Sequence, residues 1–227
     1  MAQQDCYRIA PGKVAWEQAQ TAGIQQRSLF ASAQVSLTEL QVHAGAAVHP
    51  QARSLYLLTA GQLTIAGGET LHVGDLQWFS ETKTEMRAGA AGAQCYCLQP
   101  QANLGAELEY QTITSSALPW QEFDDPAGRP TQPVQVLLDG SLSVLRTRFD
   151  PAYIAGEHWH DFDTLYFIES GRMQFGDEGW FETGEIRAVH GGHSYGPERP
   201  GSAGVEFVLV SVGGPVALHW SDLDPPP

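Results

Sequence analysis

The stretch Gly156-Glu157-His158-Trp159-His160-Asp161-Phe162-Asp163-Thr164-Leu165-Tyr166-Phe167-Ile168-Glu169-Ser170-Gly171 decides how this chain is read. Residues 165–168 are an apolar run rich in aromatic and branched side chains, and Gly171 closes it, so the segment reads as a strand running into a turn. Along a strand, residues i and i+2 share a face. His158 and His160 therefore project together, and Trp159 faces away, toward packing between sheets. Two imidazoles so placed are a ready pair of metal ligands. The later cluster His190-Gly191-Gly192-His193 holds glycines that let the backbone turn sharply. One of its two histidines can then approach the first pair from across the interior.

Working outward, the same landmarks recur earlier. Leu55-Tyr56, Gly61 and Gly74-Asp75 match Leu165-Tyr166, Gly171 and Gly184-Glu185, each 110 residues apart. One β-module is used twice. Glycines and prolines (24 and 14) are spread along the chain between short apolar runs, the texture of many short strands joined by turns. The expectation is an all-β protein of two tandem β-barrels or jelly-roll sandwiches, each with a pocket at its mouth. Only residues 14–26 offer a helix of any length, as a short N-terminal helix or arm. Alternating amphipathic helices are missing, which excludes a parallel α/β sheet. The expected division is a first module with its arm over 1–113, a linker over 114–133 carrying Pro119, Pro126, Pro130 and Pro133, a second module over 134–221, and a tail over 222–227.

Composition narrows the function. The 227 residues carry 12 basic and 26 acidic side chains, a net charge of −14. Phosphate backbones and anionic membranes would repel such a surface, so the expected partner is a small molecule and neither nucleic acid nor membrane. No apolar run reaches the roughly 20 residues of a membrane span, and the start lacks the basic and apolar regions of a leader. Three cysteines, Cys6, Cys95 and Cys97, make no disulfide framework and point to a reducing, cytoplasmic setting. Cys95 and Cys97 read as small apolar packing. Nucleophile-elbow, P-loop and dinucleotide signatures do not occur.

With these residues in view, the chain resembles the cupin superfamily. Its first motif, G-x5-H-x-H-x3,4-E-x6-G, is matched by His158, His160 and Gly171; its second, G-x5-P-x-G-x2-H-x3-N, by Gly184 and Gly192. The repeat then resembles a bicupin, and the run Tyr195-Gly196-Pro197-Glu198 resembles the ChrR-like cupins. The departures are specific. Thr164 stands at the glutamate position with Asp163 beside it, and His190 replaces the proline. The last histidine falls on Tyr195 in ungapped alignment, unless a local deletion brings His193 there. The resemblance implies a metal site of His158, His160 and His193, with His190 as the substitute third histidine and Asp163 as an open fourth ligand. Tyr195 would line the pocket. The first module has Val48 and Pro50 at the same offset from the histidine pair, and Glu81, Lys83 and Glu85 where a histidine is sought, so it is read as structural.

Such a site takes one divalent ion per chain: Fe(II) first, with Zn, Ni, Mn or Cu as the other candidates. Three-histidine cupins imply dioxygenase chemistry on a small chelating diketone or hydroxy-ketone. The other functions weighed are a metal-dependent isomerase, lyase or hydrolase on the same site, and a non-catalytic binding module. Arg146 and Arg148 share a strand face and are candidate clamps for a substrate carboxylate. Tyr153, Phe162, Tyr166 and Trp180 are candidate pocket walls or core residues. Exposed strand edges need covering, which makes a homodimer the expected assembly.

Overall fold

Short apolar strands separated by glycine turns build this chain almost entirely from β-structure. The computed structural model describes residues 5–81, 84–101, 103–122 and 132–222. It falls into two compact units, Gly12–Leu118 and a second one made of Met1–Pro11 with Pro119–Pro227. This differs from the expected boundaries. Cys6–Ile9 is not an arm of the first unit but pairs antiparallel with Ile186–Val189 of the second. Residues 123–131 of the expected linker, the tail from residue 223 onward and Lys83 lie outside the described residues.

Each unit is built on one long antiparallel sheet, with strands in the same order. In the first unit the order is Gln111–Ile113, Leu76–Phe79, Ser54–Ile65, Met86–Pro100, Val35–Val42, Ile24–Ala31 and Glu17–Gln18. In the second it is Cys6–Ile9, Ile186–Val189, Asp163–Phe175, Glu198–Val212, Leu142–Phe149, Pro133–Leu138 and Gln121–Glu122. The edge strands differ in origin: Gln111–Ile113 comes from the last residues of its own unit, and Cys6–Ile9 from the chain's beginning.

The repeat extends to irregularities. The Ser54–Ile65 strand shifts register against its partner at Leu58/Ala60 and Gly61/Leu63, and Asp163–Phe175 does so at Ile168/Ser170 and Gly171/Met173. Gly61 and Gly171 both have positive φ (+73° and +74°), and a Cβ there would sit 2.1 Å from the Gly92 carbonyl oxygen and 2.3 Å from that of Gly204. Only glycine permits that turn and that approach together. The offset of 110 does not hold everywhere. Val48 pairs with Met86 as Ala155 bridges to Glu198, so Val48 corresponds in place to Ala155 and not to His158.

The expected helix over 14–26 is absent from the described structure. A single 3-10 turn, Pro11–Lys13, precedes the strands Glu17–Gln18 and Ile24–Ala31. Gly23, at φ +79°, reverses the chain between them, and Ile24 and Arg27 are buried on the strand. Sheet pairing outweighs the weak helical tendency of this stretch. The interior of the first unit is filled by residues such as Tyr56, Leu63, Phe79, Met86 and the fully buried Cys95. That of the second holds Tyr166, Met173, Phe175, Phe181 and Phe207. No helix of the described chain is long and apolar enough to cross a membrane.

Candidate active site

The two histidines of the decisive stretch do meet inside the second unit. His158–Trp159 pairs with His219–Trp220 as a small two-stranded ribbon. Strand alternation then separates the faces. His158 and Trp220 are buried with ring centroids 5.6 Å apart, while Trp159 stacks on His219 at 4.1 Å and 13°. His160 follows on the inner face, its ring 5.3 Å from that of His158.

Both rings are oriented by backbone. His158 Nδ1 lies 2.8 Å from the Gly156 carbonyl oxygen, and His160 Nδ1 lies 2.5 Å from that of Ala217. A carbonyl only accepts, so each Nδ1 carries the proton and each Nε2 keeps its lone pair for the interior. Burial lowers the His158 pKa to about 4 and the His160 pKa to about 3, so both imidazoles are neutral at neutral pH.

A carboxylate that the sequence reading passed over completes the cluster. Glu198, at the start of the Glu198–Val212 strand, is 2% exposed. Its Oε1 lies 3.7 Å from His158 Nε2 and accepts no hydrogen bond. Burial raises its pKa to about 7, against the lowering effects of the Arg187 charge and of hydrogen bonding from the Tyr166 hydroxyl. Tyr166 places its hydroxyl 3.2 Å from His160 Nε2 and hydrogen-bonds closely to the Tyr195 hydroxyl. Behind Tyr195 lies Arg187, fully buried, its guanidinium 3.9 Å from the Tyr195 ring centre and forked onto Glu178 at 2.6 and 2.9 Å. Burial opposes the charge of Arg187, but the Glu178 hydrogen bonds hold its pKa above the ordinary value.

Four of these groups line a cavity with about 80 Å³ of free space, against roughly 10–15 Å³ for one water. His158, His160, Tyr166 and Glu198 meet Phe149, Phe207, Leu209, Val216, Leu218 and Trp220 there, with Gln132 and Thr147 also in the lining. Tyr153 is a wall as expected, whereas Phe162 packs over Gly213 and Gly214, and Trp180 is an exposed partner of Arg172.

The other expected site residues are elsewhere. His193 is 38% exposed at its side chain and faces Asp5 at 3.6 Å. Asp163 accepts from Gly191 N at 3.1 Å and contacts His190 Nδ1 at 3.2 Å. No deletion shifts the loop: Tyr195 and His158 exchange both backbone hydrogen bonds at 2.9 Å, so Tyr195 keeps the ungapped place opposite the histidine. Arg148 is not a clamp. It pairs with Glu206 and lies 4.4 Å over Trp120, while Arg146 forks onto Glu169. The pleat turns these two arginines away from the face that Leu145, Thr147 and Phe149 give to the cavity. Thr164, at the family's glutamate place, is buried with an unpartnered hydroxyl.

The solved structures share this architecture. The chain resembles an oxalate decarboxylase formate complex from Lactobacillus farciminis (14% identity, TM-score 0.67, covering 93% of this chain and 87% of that one). It also resembles a putative glyoxylate-induced protein from Pseudomonas aeruginosa (10%, TM-score 0.73, 93% and 89%). A third is the protein Ylba from E. coli (11%, TM-score 0.69, 91% and 90%). The fold is that of the cupins. No family model and no curated protein sequence matches the chain.

The donor set suits a cation in its chemistry. Two neutral imidazoles present lone pairs, and a buried carboxylate oxygen beside them has no donor to satisfy it. As placed, no three His, Cys, Asp or Glu side chains among the described residues already enclose a common point. Glu198 Oε1 stands 3.7 Å from His158 Nε2, and His160 lies beside His158.

Proposed function

We propose that the chain is a tandem of cupin modules whose second module is a metal-dependent enzyme acting on a small oxygenated molecule, with the metal held by His158, His160 and Glu198. The observation that carries this is the orphaned Glu198 Oε1 facing His158 Nε2 at 3.7 Å. A buried, unpaired carboxylate oxygen costs several kcal/mol unless a cation or a proton donor meets it. Two histidines and one carboxylate are the donors of non-heme Fe(II) oxygenases, so dioxygenase chemistry on Fe(II) is the reaction class we favour.

An ion bound there would supply Lewis acidity and, as Fe(II), a redox partner for O2. The chain's own groups do the rest. The Gly156 and Ala217 carbonyls fix the two rings. The Tyr166–Tyr195 pair keeps a proton beside His160, where it can be given to a substrate oxygen. Phe149, Phe207 and Leu209 exclude water and so strengthen each polar contact at the base. That hydroxyl pair also favours a second reading, proton-transfer chemistry on the same site without O2, as in an isomerase, lyase or hydrolase. The oxalate chemistry of the neighbours is not carried over, because no Arg or Lys among the described residues lines the cavity.

Metal analysis after anaerobic loading tests the proposal. We expect about one ion per chain with Fe(II), falling at least tenfold in Glu198→Gln and His158→Ala. Less than roughly a tenth of an ion per chain with each of Fe(II), Zn(II), Mn(II) and Ni(II) would overturn it. Oxygen uptake during turnover of diketones or hydroxy-ketones separates the two reaction classes.

A further inference from the structure

We infer that the cavity selects a small neutral molecule whose oxygen functions sit at one end of an uncharged hydrocarbon body. This deepens the proposed function and rests on it for which end of the ligand reacts. The titratable side chains of the described lining, His158, His160, Tyr166 and Glu198, stand together, and its other polar groups, Gln132 and Thr147, are uncharged. The body of a ligand would lie against Leu145, Phe149, Phe207, Leu209, Val216 and Leu218.

Arg146, Arg148 and Arg187 are engaged elsewhere, and Arg199, next to Glu198 on its strand, is exposed. Arg146 is forked onto Glu169 at 2.8 and 2.9 Å. Arg148 holds Glu206 at 2.8 Å. Arg187 is locked to Glu178 behind the Tyr195 ring. Releasing Arg146 or Arg187, whose side chains are buried, would strand a carboxylate partner. A carboxylate on the ligand body would therefore be buried with no counter-charge among the described lining residues, and Glu198 adds a second acidic group to the same cavity. An uncharged body of the same shape gains the transfer energy of its buried surface instead. A bound ion at the histidine end could take the oxygen end of either ligand, but it leaves the far end unpaired. The discrimination is thus set by the protein wall and does not depend on the metal.

Two ketones of matched shape make the test. In 5-methylhexan-2-one and 4-oxopentanoate the oxygen end is the same, and an isopropyl group stands where the other has a carboxylate. Ligand-observed NMR titrations would be run on chelator-treated protein and again on Zn(II)-loaded protein. We expect the neutral ketone to bind at least about tenfold more tightly in both. The variant Thr147→Lys, which puts a cation into the wall, should shrink or invert that ratio. If Thr147→Lys does not fold, the wild-type ratio alone decides. Equal or tighter binding of 4-oxopentanoate overturns the inference, and so does binding of neither ketone. Failure of metal loading with the ketone ratio intact would remove the proposed function and leave this inference standing.

Discussion

Glu198 and Arg187 are both buried charges of the second unit, and their surroundings predict opposite responses to neutralisation. Glu198 Oε1 has no hydrogen-bond partner, so Glu198→Gln removes a group that is costly to bury. The variant should unfold within about 1 kcal/mol of the parent, or be more stable, while losing metal. Chemical denaturation of chelator-treated protein checks this; a loss above about 3 kcal/mol would mean that the carboxylate is structurally paired. Arg187 is the contrary case, since it binds Glu178 through two nitrogens and lies against Tyr195. Arg187→Met should cost about 2–3 kcal/mol, less than the roughly 3–5 kcal/mol for breaking a fully buried pair, because the Glu178 side chain is itself 29% exposed and can be hydrated. Of these residues the sequence showed His158 and His160, because a spacing of two on a strand fixes a shared face. It did not mark Glu198, whose role depends on which residue of a distant strand lies beside His158. Tyr195-Gly196-Pro197-Glu198 was visible as a run, yet nothing local in it says that the glutamate points inward.

Elements in this fold are shaped by where backbones must cross closely. Gly171 and Gly184 both have positive φ, +74° and +85°, but a Cβ at Gly171 would lie 2.3 Å from the Gly204 carbonyl oxygen, whereas nothing lies within 4 Å of one at Gly184. Gly184→Ala should therefore cost only the conformational term, about 1–2 kcal/mol. Gly171→Ala must also push two strands apart, and should cost about 3–5 kcal/mol or prevent folding. Gly61→Ala should match Gly171→Ala, since its Cβ would lie 2.1 Å from the Gly92 carbonyl oxygen. Thermal or urea unfolding of the three variants checks the order; equal losses at 171 and 184 would mean that the close approach carries no energy. These same glycines made the repeat legible, because a residue demanded by geometry keeps its place when other side chains change. The segment before Ser54–Ile65 kept no such marker, and there the fixed offset misplaced Val48. His193 was misassigned for a related reason: the alignment needed a deletion, and the paired backbones of His158 and Tyr195 leave no room for one.

At the scale of the whole molecule, the second unit is assembled from both ends of the chain. Cys6–Ile9 supplies its edge strand, and His219–Trp220 supplies the ribbon that carries Trp220 into the cavity lining. The N-terminal strand does more than extend a sheet. Arg8 lies 4.0 Å over the Phe181 ring and donates to the Trp180 carbonyl at 2.7 Å, and Cys6 Sγ lies 3.4 Å from Arg187 Nη2. Removing residues 1–10 should then lower the stability of the second unit by about 2–4 kcal/mol, from the lost burial of Ile9, the backbone pairs and the cover over Arg187. For a unit of this size that is a fall of roughly 8–20 °C in its midpoint. Calorimetry of the deleted chain should show the transition that includes Trp220 moving down while the transition of the Gly12–Leu118 unit stays where it was. If both transitions move together, stability is shared across the chain, and the N-terminal strand is not private to the unit whose sheet it completes.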